Sequence, residues 1–377
     1  MTVRRNLAVV TVAVLLTLGA IRSGNGKLSL SALARGLPTK GNQKTHYKRL
    51  GRFLNNKHFC PQSMIPALVG LVLGWKRKRK EARRLVPVLV DQVDIGGTPT
   101  IMAGVLHRGR VLPIAFTCVE YSRLRRSLNT VETALLTLII ASLPTDTQAI
   151  FTADRAYGRY QLIEALNQLE QQYVLRCKEK VVLWQDGRKR FPMDFAAPLD
   201  TPVRYSNLRY RKNGKEPVDL IVYRGRGFKE TWYLLVPPGS EKTLPTKKVV
   251  EIYRSRMRIE QGFRDWKTHL GVRGLKLESN QAERLARLLL SLALAYIILL
   301  LMGSQEWVQT QRLRFETLRR TPRHGTCRTL SVLSHAMLFL AAPDVAKRAR
   351  QLLLRVIAAL TRGAPAYQGE LALEAAG

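Results

Sequence analysis

The alternation of strand-like and helix-like segments after Leu85 is the feature that most limits what this chain can fold into. Short apolar runs at 86–90 and 149–153 are typical of buried strands. Helical patterns follow at 130–142 and 157–169. Strands that alternate with helices after an initial meander predict an α/β fold, in which helices cover a mixed sheet.

Local pattern divides the rest of the chain into further regions. Segments 28–37 and 44–55 are predicted helices, either of a DNA-binding module or of a packing domain with a basic outer face. Between 178 and 245 the helical pattern is replaced by short strand-like runs, which predict a β-rich insertion. The predicted domains are a helical N-terminal domain at 1–84, a catalytic core at 85–177 and 246–304, the insertion at 178–245, and a helical basic C-terminal region at 305–377.

Two aspartates directly follow the predicted buried strands. Asp91 comes after the run 86–90, and Asp154 comes after 149–153. Carboxylates at the ends of adjacent strands can approach closely, and their oxygens are the hard ligands that Mg²⁺ prefers. Asp94 is an alternative to Asp91, and either strand-terminal aspartate could instead cap a turn.

A third acid lies in the segment 253–267, on a predicted amphipathic helix. Tyr253, Arg256, Glu260 and Lys267 fall within an arc of about 60° at the helical period. An apolar stripe beside them predicts that the helix is anchored in the core. One carboxylate flanked by cations and a phenol suits a metal site beside a polyanion. The alternative is an ordinary amphipathic helix with a solvated charged face.

The polar row resembles the YREK signature of DDE transposases of insertion-sequence family four. The resemblance implies a ribonuclease-H-like core in which Asp91, Asp154 and Glu260 are the catalytic acids and hold Mg²⁺ or Mn²⁺. It implies DNA contacts from Tyr253, Arg256 and Lys267. Trp232 resembles a tryptophan that stacks on a flipped base in some relatives, and its alternative is a core aromatic. The implied partners are the element's terminal repeats, target DNA and a second copy in a synaptic homodimer.

The charge balance also indicates a polyanionic partner. The 62 Lys and Arg outnumber the 27 Asp and Glu, for a formal net charge of +35. Such an excess favours DNA first and an anionic membrane surface second. The apolar run 288–303 is short for a bilayer span, and 7–21 is interpreted as a buried helix in preference to a signal or anchor, so no membrane association is predicted.

The four cysteines are widely separated and contain no C-x2-C pair, which favours a reduced, cytoplasmic protein. The resemblance implies a location in the bacterial nucleoid. The prediction is therefore a transposase that cuts and joins DNA at element ends. A catalytically inactive repressor derived from a transposase and a nuclease of the same fold are the alternatives.

Overall fold

The computed structural model describes residues 3–22, 28–74, 84–123, 127–211, 215–272, 282–323, 325–342 and 344. The helices are α1 (Val3–Arg22), α2 (Leu30–Arg35), α3 (Gln43–Leu54), α4 (Ile65–Gly74), α5 (Leu128–Ser142), α6 (Tyr160–Gln168), α7 (Thr246–Arg264), α8 (Ala282–Gly303), α9 (Glu306–Gln309) and α10 (Val332–Ala341). The strands are β1 (Arg84–Ile95), β2 (Thr98–His107), β3 (Arg110–Cys118), β4 (Thr147–Ala153), β5 (Gln172–Arg176), β6 (Leu183–Gln185), β7 (Arg188–Arg190), β8 (Val203–Tyr210), β9 (Glu216–Tyr223) and β10 (Trp232–Val236).

One mixed sheet runs through the molecule, with the strand order β3-β2-β1-β4-β5-β10-β9-β8-β6-β7. β1, β2 and β3 form an antiparallel meander, and β1, β4 and β5 are parallel. The parallel strands are joined through α5 and α6, as expected when a parallel connection needs a crossover. The mixed α/β class with a large mixed sheet is therefore confirmed.

Turn chemistry explains why β1 is longer than its apolar run. Gly96 and Gly97 both have positive φ, 60° and 83°, and connect β1 to β2 in a two-residue hairpin. Such turns need positive φ at both central positions, which glycine adopts without steric cost. The hairpin pairs β1 with β2 as far as Ile95, so polar residues beyond Val90 remain in the strand.

The predicted insertion continues the sheet of the predicted core. β10 pairs antiparallel with β5, through Leu235 and Leu175, and with β9 on its other side. The sheet ends at β7, a three-residue strand whose side chains Arg188, Lys189 and Arg190 are all exposed. The β-rich region is thus joined to the core by backbone hydrogen bonds as well as by chain connectivity.

The N-terminal helices share the apolar core of the sheet. α1 packs on α8 and α10, and α4 packs on α5 and β3. Arg287 of α8 donates to the carbonyls of Leu54 and Phe59, both at 2.9 Å, which ties the end of α3 to α8. The sequence predicts a helical N-terminal domain at 1–84, and apolar side chains on several faces of these helices lie in the common core.

Helix α8 is the longest helix among the described residues and is strongly apolar. Its 22 residues are long and apolar enough to cross a membrane, yet its apolar window is completely buried within the fold. The apolar run 288–303 lies within this helix, which begins at Ala282. Most of the predicted C-terminal helical region, from 345 onward, lies outside the described residues.

Candidate active site

Asp91 lies inside strand β1 and not at its end, which corrects the sequence prediction. β1 pairs in parallel with β4 as far as Val90, whose partner Ala153 is the last residue of β4. Asp91 itself pairs with Met102 of β2, which is why the strand continues. Asp154 follows Ala153 directly, so the two aspartates leave adjacent positions on strands that are spaced about 5 Å apart.

Asp94 occupies a different position and has a structural role. It lies three residues beyond Asp91, so its side chain leaves the opposite face of the strand. Its Oδ1 accepts a hydrogen bond from the N–H of Gly97 at 2.9 Å, which stabilises the β1–β2 turn. This geometry favours Asp91 over Asp94 as the first acid.

Helix α7 brings the third acid to the sheet because one side of it is buried. The apolar stripe predicted from the sequence is buried in the structure at Val249, Ile252, Ile259, Phe263 and Trp266. The helix packs against β1, β3 and β4, and this contact directs its polar row towards the aspartates. The Glu260 side chain is 53% exposed at the surface end of the site.

Arg256 connects the first and third acids. Its Nη1 donates to Asp91 Oδ2 at 3.1 Å, and its Nη2 donates to Glu260 Oε1 at 3.1 Å. The guanidinium is itself mostly buried, with a 10% exposed side chain. Asp91 and Glu260 are far apart in the sequence, yet both accept a hydrogen bond from the Arg256 guanidinium.

The environment of Asp91 disfavours its ionised form. Burial raises the pKa of Asp91 to about 6, while Arg256 and the N–H of Gln92 act in the opposite direction. The nearby carboxylates of Asp154 and Glu260 raise that pKa further. Carboxylates that share a site in this way repel one another and favour a bound cation.

The donor chemistry fits a divalent cation, although no formed metal cage is present. Asp91, Asp154 and Glu260 offer hard carboxylate oxygens of the kind that Mg²⁺ and Mn²⁺ bind. Within the described ranges, no group of three His, Cys, Asp or Glu side chains has metal-site geometry. The Arg256 guanidinium supplies the positive charge between two of the carboxylates instead.

A cleft of about 790 Å³ opens beside these acids, lined by Asp91, Glu260, Lys267 and neighbouring residues. Lys267 lies in a π-helical turn, Asp265–His269, that continues α7. The predicted arc of polar residues assumed a regular α-helix up to Lys267, and the wider π-helical turn changes the direction of that side chain. Lys267 still lines the cleft. The lining of the cleft thus carries charge of both signs.

Tyr253 and Trp232 lie in a buried aromatic cluster. Tyr253 is 3% exposed, and its ring meets the Trp232 ring edge-on at 4.9 Å between centroids. Trp232 is 8% exposed because Phe228 stacks on it at 4.7 Å, with 20° between the ring planes. Trp232 therefore presents no open face to a base in this structure, which agrees with the alternative of a core aromatic.

Arg204 of β8 is buried in an ion pair within the predicted insertion. Its Nη1 donates to Asp219 Oδ2 at 2.9 Å, and both side chains are at most 4% exposed. It also donates to the Leu244 carbonyl and to Ser240. Arg204 therefore holds the insertion together, whereas Arg209 and Arg211 are exposed.

A group of polar residues beneath Asp154 was missed by the sequence interpretation. Arg159 makes an ion pair with Glu132, and its guanidinium lies 5.6 Å from the Tyr157 ring centroid. The buried Tyr157 hydroxyl has no hydrogen-bond partner among the described residues. Burial, followed by Glu132, Asp91 and Asp154, raises the pKa of Tyr157 well above its usual value. Glu132 could have been noticed as the one charged residue of α5.

Asp265 was also missed, although it directly precedes a predicted core tryptophan. Its carboxylate is fully buried and accepts from Arg110 Nη1 at 2.6 and 2.7 Å. The Tyr296 hydroxyl donates to it at 2.9 Å, and Gln261 Nε2 at 3.3 Å. These contacts join α7, β3 and α8 directly behind the candidate site.

One comparison with known proteins, the family match, agrees with the chemistry of this site. Residues 122–298 match the family described as transposase DDE domain, a segment that contains Asp154 and Glu260 and begins after Asp91. This match supports a DDE transposase. No curated protein matches the chain. A solved structure, the piggyBac transposase synaptic complex with hairpin DNA, is similar over 98% of this chain and 80% of that chain, with 10% identity and a TM-score of 0.44.

Proposed function

We propose that this protein is a DDE transposase that cleaves DNA at the ends of an insertion sequence and joins those ends to target DNA. The family match supports a transposase, and the site supports the chemistry. The observation that carries the proposal is the meeting of Asp91 and Glu260 at Arg256, beside Asp154. This arrangement brings strand β1 and helix α7, which are far apart in the sequence, to one acidic site.

Asp91, Asp154 and Glu260 would hold divalent cations, Mg²⁺ or Mn²⁺. Bound ions would supply activation of a water or 3′-hydroxyl and stabilisation of the leaving oxygen. The raised pKa of Asp91, caused first by burial, supports this role because a cation would favour the ionised form. Arg256 compensates part of the carboxylate charge in the metal-free protein.

The DNA backbone would contact the cleft through cations that position it without reading its sequence. Lys267 lines the cleft directly, and Arg256 donates to Asp91 and Glu260, two acids of the cleft lining. Tyr253 supports Arg256, since the guanidinium lies 5.9 Å from the Tyr253 ring centroid. The net charge of +35 supports binding to a polyanion over a wide surface.

The sheet order β3-β2-β1-β4-β5, with three antiparallel and then two parallel strands, supports a ribonuclease-H-like core. The YREK spacing supports membership of insertion-sequence family four. A homodimer on paired DNA ends and a cytoplasmic location in the nucleoid complete the proposal. Both rest on the family resemblance.

A cleavage and strand-transfer assay tests the proposal, using DNA that carries the native element ends, in Mg²⁺ and in EDTA. Asp91→Asn, Asp154→Asn and Glu260→Gln are each expected to lower the rate by at least about 10³-fold, because metal-based stabilisation of the transition state contributes several kcal/mol. Asp94→Asn is the matched control, since Asp94 shares the strand and the cleft but caps the turn. DNA binding should persist in all four variants.

Other outcomes would identify the alternatives. Tight DNA binding without cleavage by the wild type would favour the inactive repressor. Metal-dependent cleavage without strand-transfer products would favour a nuclease. Full activity of Asp91→Asn together with loss in Asp94→Asn would contradict the assignment of the first acid.

A further inference from the structure

A basic loop, residues 317–328, lies at the surface between α9 and α10, and most of its described residues are exposed. We call it the arginine loop, because it contains four arginines, at 319, 320, 323 and 328, and no lysine. No Asp or Glu occurs anywhere from 317 to 343. The loop also lies outside the segment 122–298 that matches the transposase family. Its concentrated positive charge therefore has no counterpart in the candidate active site.

Three arginines of the loop have uncompensated charge. Arg320, Arg323 and Arg328 are exposed, and none of them makes an ion pair with another described residue. Arg314, just before the loop, instead pairs with Asp344 at 2.8 Å. Like charges held close together in a short loop repel one another, and a polyanion relieves that repulsion. The loop thus has the charge of a binding surface for an anionic partner.

A buried ion pair fixes both ends of the arginine loop. Glu316, whose side chain is completely buried, accepts from Arg312 Nε through its Oε1. Its Oε2 accepts from the N–H groups of Thr329 and Leu330, at 2.9 and 2.7 Å. Arg312 also donates to the Leu330 carbonyl. Since Arg312 and Glu316 precede the loop and Thr329 and Leu330 follow it, this network closes the loop at its base.

Hydrogen bonds within the loop hold its two sides together. The Arg319 guanidinium donates to the Arg328 carbonyl at 2.6 Å. Arg323 and Thr326 exchange two backbone hydrogen bonds, at 2.9 and 3.2 Å, and Gly325 between them has a φ of 74°. Glycine adopts this turn conformation without steric cost. A loop that is already ordered loses less conformational freedom when it binds a partner.

The base of the loop lies away from the cleft that borders the three acids. Helix α10 follows the loop and begins against the last residue of α8, since a Cβ at Gly303 would lie 2.9 Å from the Val332 carbonyl oxygen. The next residue, Ser304, accepts from Arg108 Nη1 at 2.9 Å through its carbonyl, at the turn between β2 and β3. Gly96, which lines the cleft, lies in the turn at the other end of β2. The arginine loop is therefore a surface separate from the cleft.

We propose that the arginine loop binds the phosphate backbone of duplex DNA outside the catalytic cleft, through Arg320, Arg323 and Arg328. Planar guanidinium groups match phosphate oxygens in pairs, and contacts to the backbone position DNA without reading its sequence. The unpaired arginines, the lack of acids and the fixed loop together suit that ligand. The inference rests on the proposed function, because it names a second surface for the DNA of that reaction.

The salt dependence of DNA binding by the full-length protein, measured in EDTA, tests the proposal without cleavage. The probe is a fluorescently labelled duplex of random sequence that lacks the element ends. Each phosphate contact contributes about 0.9 to the slope of the logarithm of affinity against the logarithm of salt concentration. A combined variant with Arg320→Ala, Arg323→Ala and Arg328→Ala should therefore reduce the slope by about 3. Its affinity at about 0.1 M salt should fall by about 10²-fold or more.

Two variants are matched controls. Replacement of the same three arginines by lysine keeps the charge of the loop and should retain the wild-type slope. Thr321→Ala changes an exposed, uncharged residue of the same loop and should bind DNA as the wild type does. Near-ultraviolet circular dichroism and thermal unfolding should be unchanged in every variant, because the substituted side chains are exposed.

Three results would overturn the proposal. An unchanged slope in the alanine variant would place the phosphate contacts elsewhere. An equal loss of slope in the lysine variant would mean that the loop is altered and not that charge is lost. Leu318 of the loop is 48% exposed, so unchanged DNA binding together with lost binding to phosphatidylserine vesicles would assign the loop to an anionic membrane surface. Failure of the wild type to bind any DNA would instead contradict the proposed function as well.

Discussion

Two arginine–aspartate pairs lie on opposite sides of helix α7 and differ in how completely their carboxylates are satisfied. Asp265 is fully buried and accepts from Arg110, Tyr296 and Gln261. Asp91, with a 16% exposed side chain, accepts from Arg256 and one backbone N–H and lies among other carboxylates. Both are ion pairs by distance.

If the proposed function holds, the difference shows how a structural ion pair differs from one in an active site. A carboxylate surrounded by donors stabilises the fold, because its charge and its hydrogen-bonding capacity are both satisfied. A carboxylate that shares one arginine with other acids retains an unfavourable charge that a ligand can relieve. The same Asp→Asn substitution should therefore have opposite effects on stability in the two places.

The largest expected effect is at the structural pair. Asp265→Asn should lower the free energy of unfolding by about 3–5 kcal/mol, because it leaves the partly buried Arg110 without a charged partner. Urea unfolding measures this change. Glu241→Gln is the control, since Glu241 is 68% exposed beside Arg204 and its loss should cost less than about 1 kcal/mol. Equal effects of the two substitutions would contradict the distinction.

At the functional pair, Asp91→Asn should stabilise the metal-free protein at pH 8. The pKa of Asp91 is raised from 3.8 to about 6, so folding disfavours its ionised form by up to about 3 kcal/mol. This penalty is absent below pH 3.8, develops as the pH rises, and is complete above about pH 6. Urea unfolding in EDTA at pH 4 and pH 8 measures the gain, which should vanish at pH 4. A destabilised variant at pH 8 would mean that Asp91 acts as Asp265 does.

Addition of Mg²⁺ should stabilise the wild type through the functional pair alone. At ten times the dissociation constant, the gain is about 1.4 kcal/mol by mass action. Asp154→Asn should lose the stabilisation by Mg²⁺, and Asp94→Asn should retain it. Thermal unfolding of each variant with and without Mg²⁺ measures this stabilisation. Stabilisation that survives in Asp154→Asn would place the cation elsewhere.

The smallest effect on stability is expected at Glu260. Glu260 and Arg256 are one helical turn apart on α7, and the Glu260 side chain is 53% exposed. Glu260→Gln should therefore lower the free energy of unfolding by less than about 0.5 kcal/mol. Glu283→Gln removes the corresponding pair with Arg287, where Glu283 is 70% exposed. Unfolding and strand-transfer assays together should show two small stability losses, with activity lost only in Glu260→Gln. Loss of activity in both variants would undermine the comparison.

Local patterns were sufficient to predict some of this site. The order of elements from β1 to α7 and the buried stripe of α7 follow from hydrophobic periodicity. The position of Asp154 could be predicted because strand β4 ends at Ala153, the last residue of its apolar run. The meeting of Glu260 with the aspartates agrees with a predicted helical face, because α7 remains regular across Tyr253, Arg256 and Glu260.

Contacts between distant residues could not be predicted in this way. Asp91 stays within a strand because β2 pairs beyond the apolar run, and that pairing depends on the Gly96–Gly97 turn. Trp232 lies beneath Phe228 because a second turn folds the loop back over it. The partner of each buried arginine is likewise selected by tertiary packing, as in the pair of Arg204 with Asp219.

The short, exposed strand β7 has a consequence for how copies of this protein meet. An unpaired sheet edge invites pairing with another chain, and charged side chains on that edge oppose it. Arg188, Lys189 and Arg190 put three positive charges on such an edge. Two copies at high local concentration would repel each other there, whereas a DNA segment between them would remove the repulsion. The same three residues thus disfavour edge-to-edge pairing between copies of the protein.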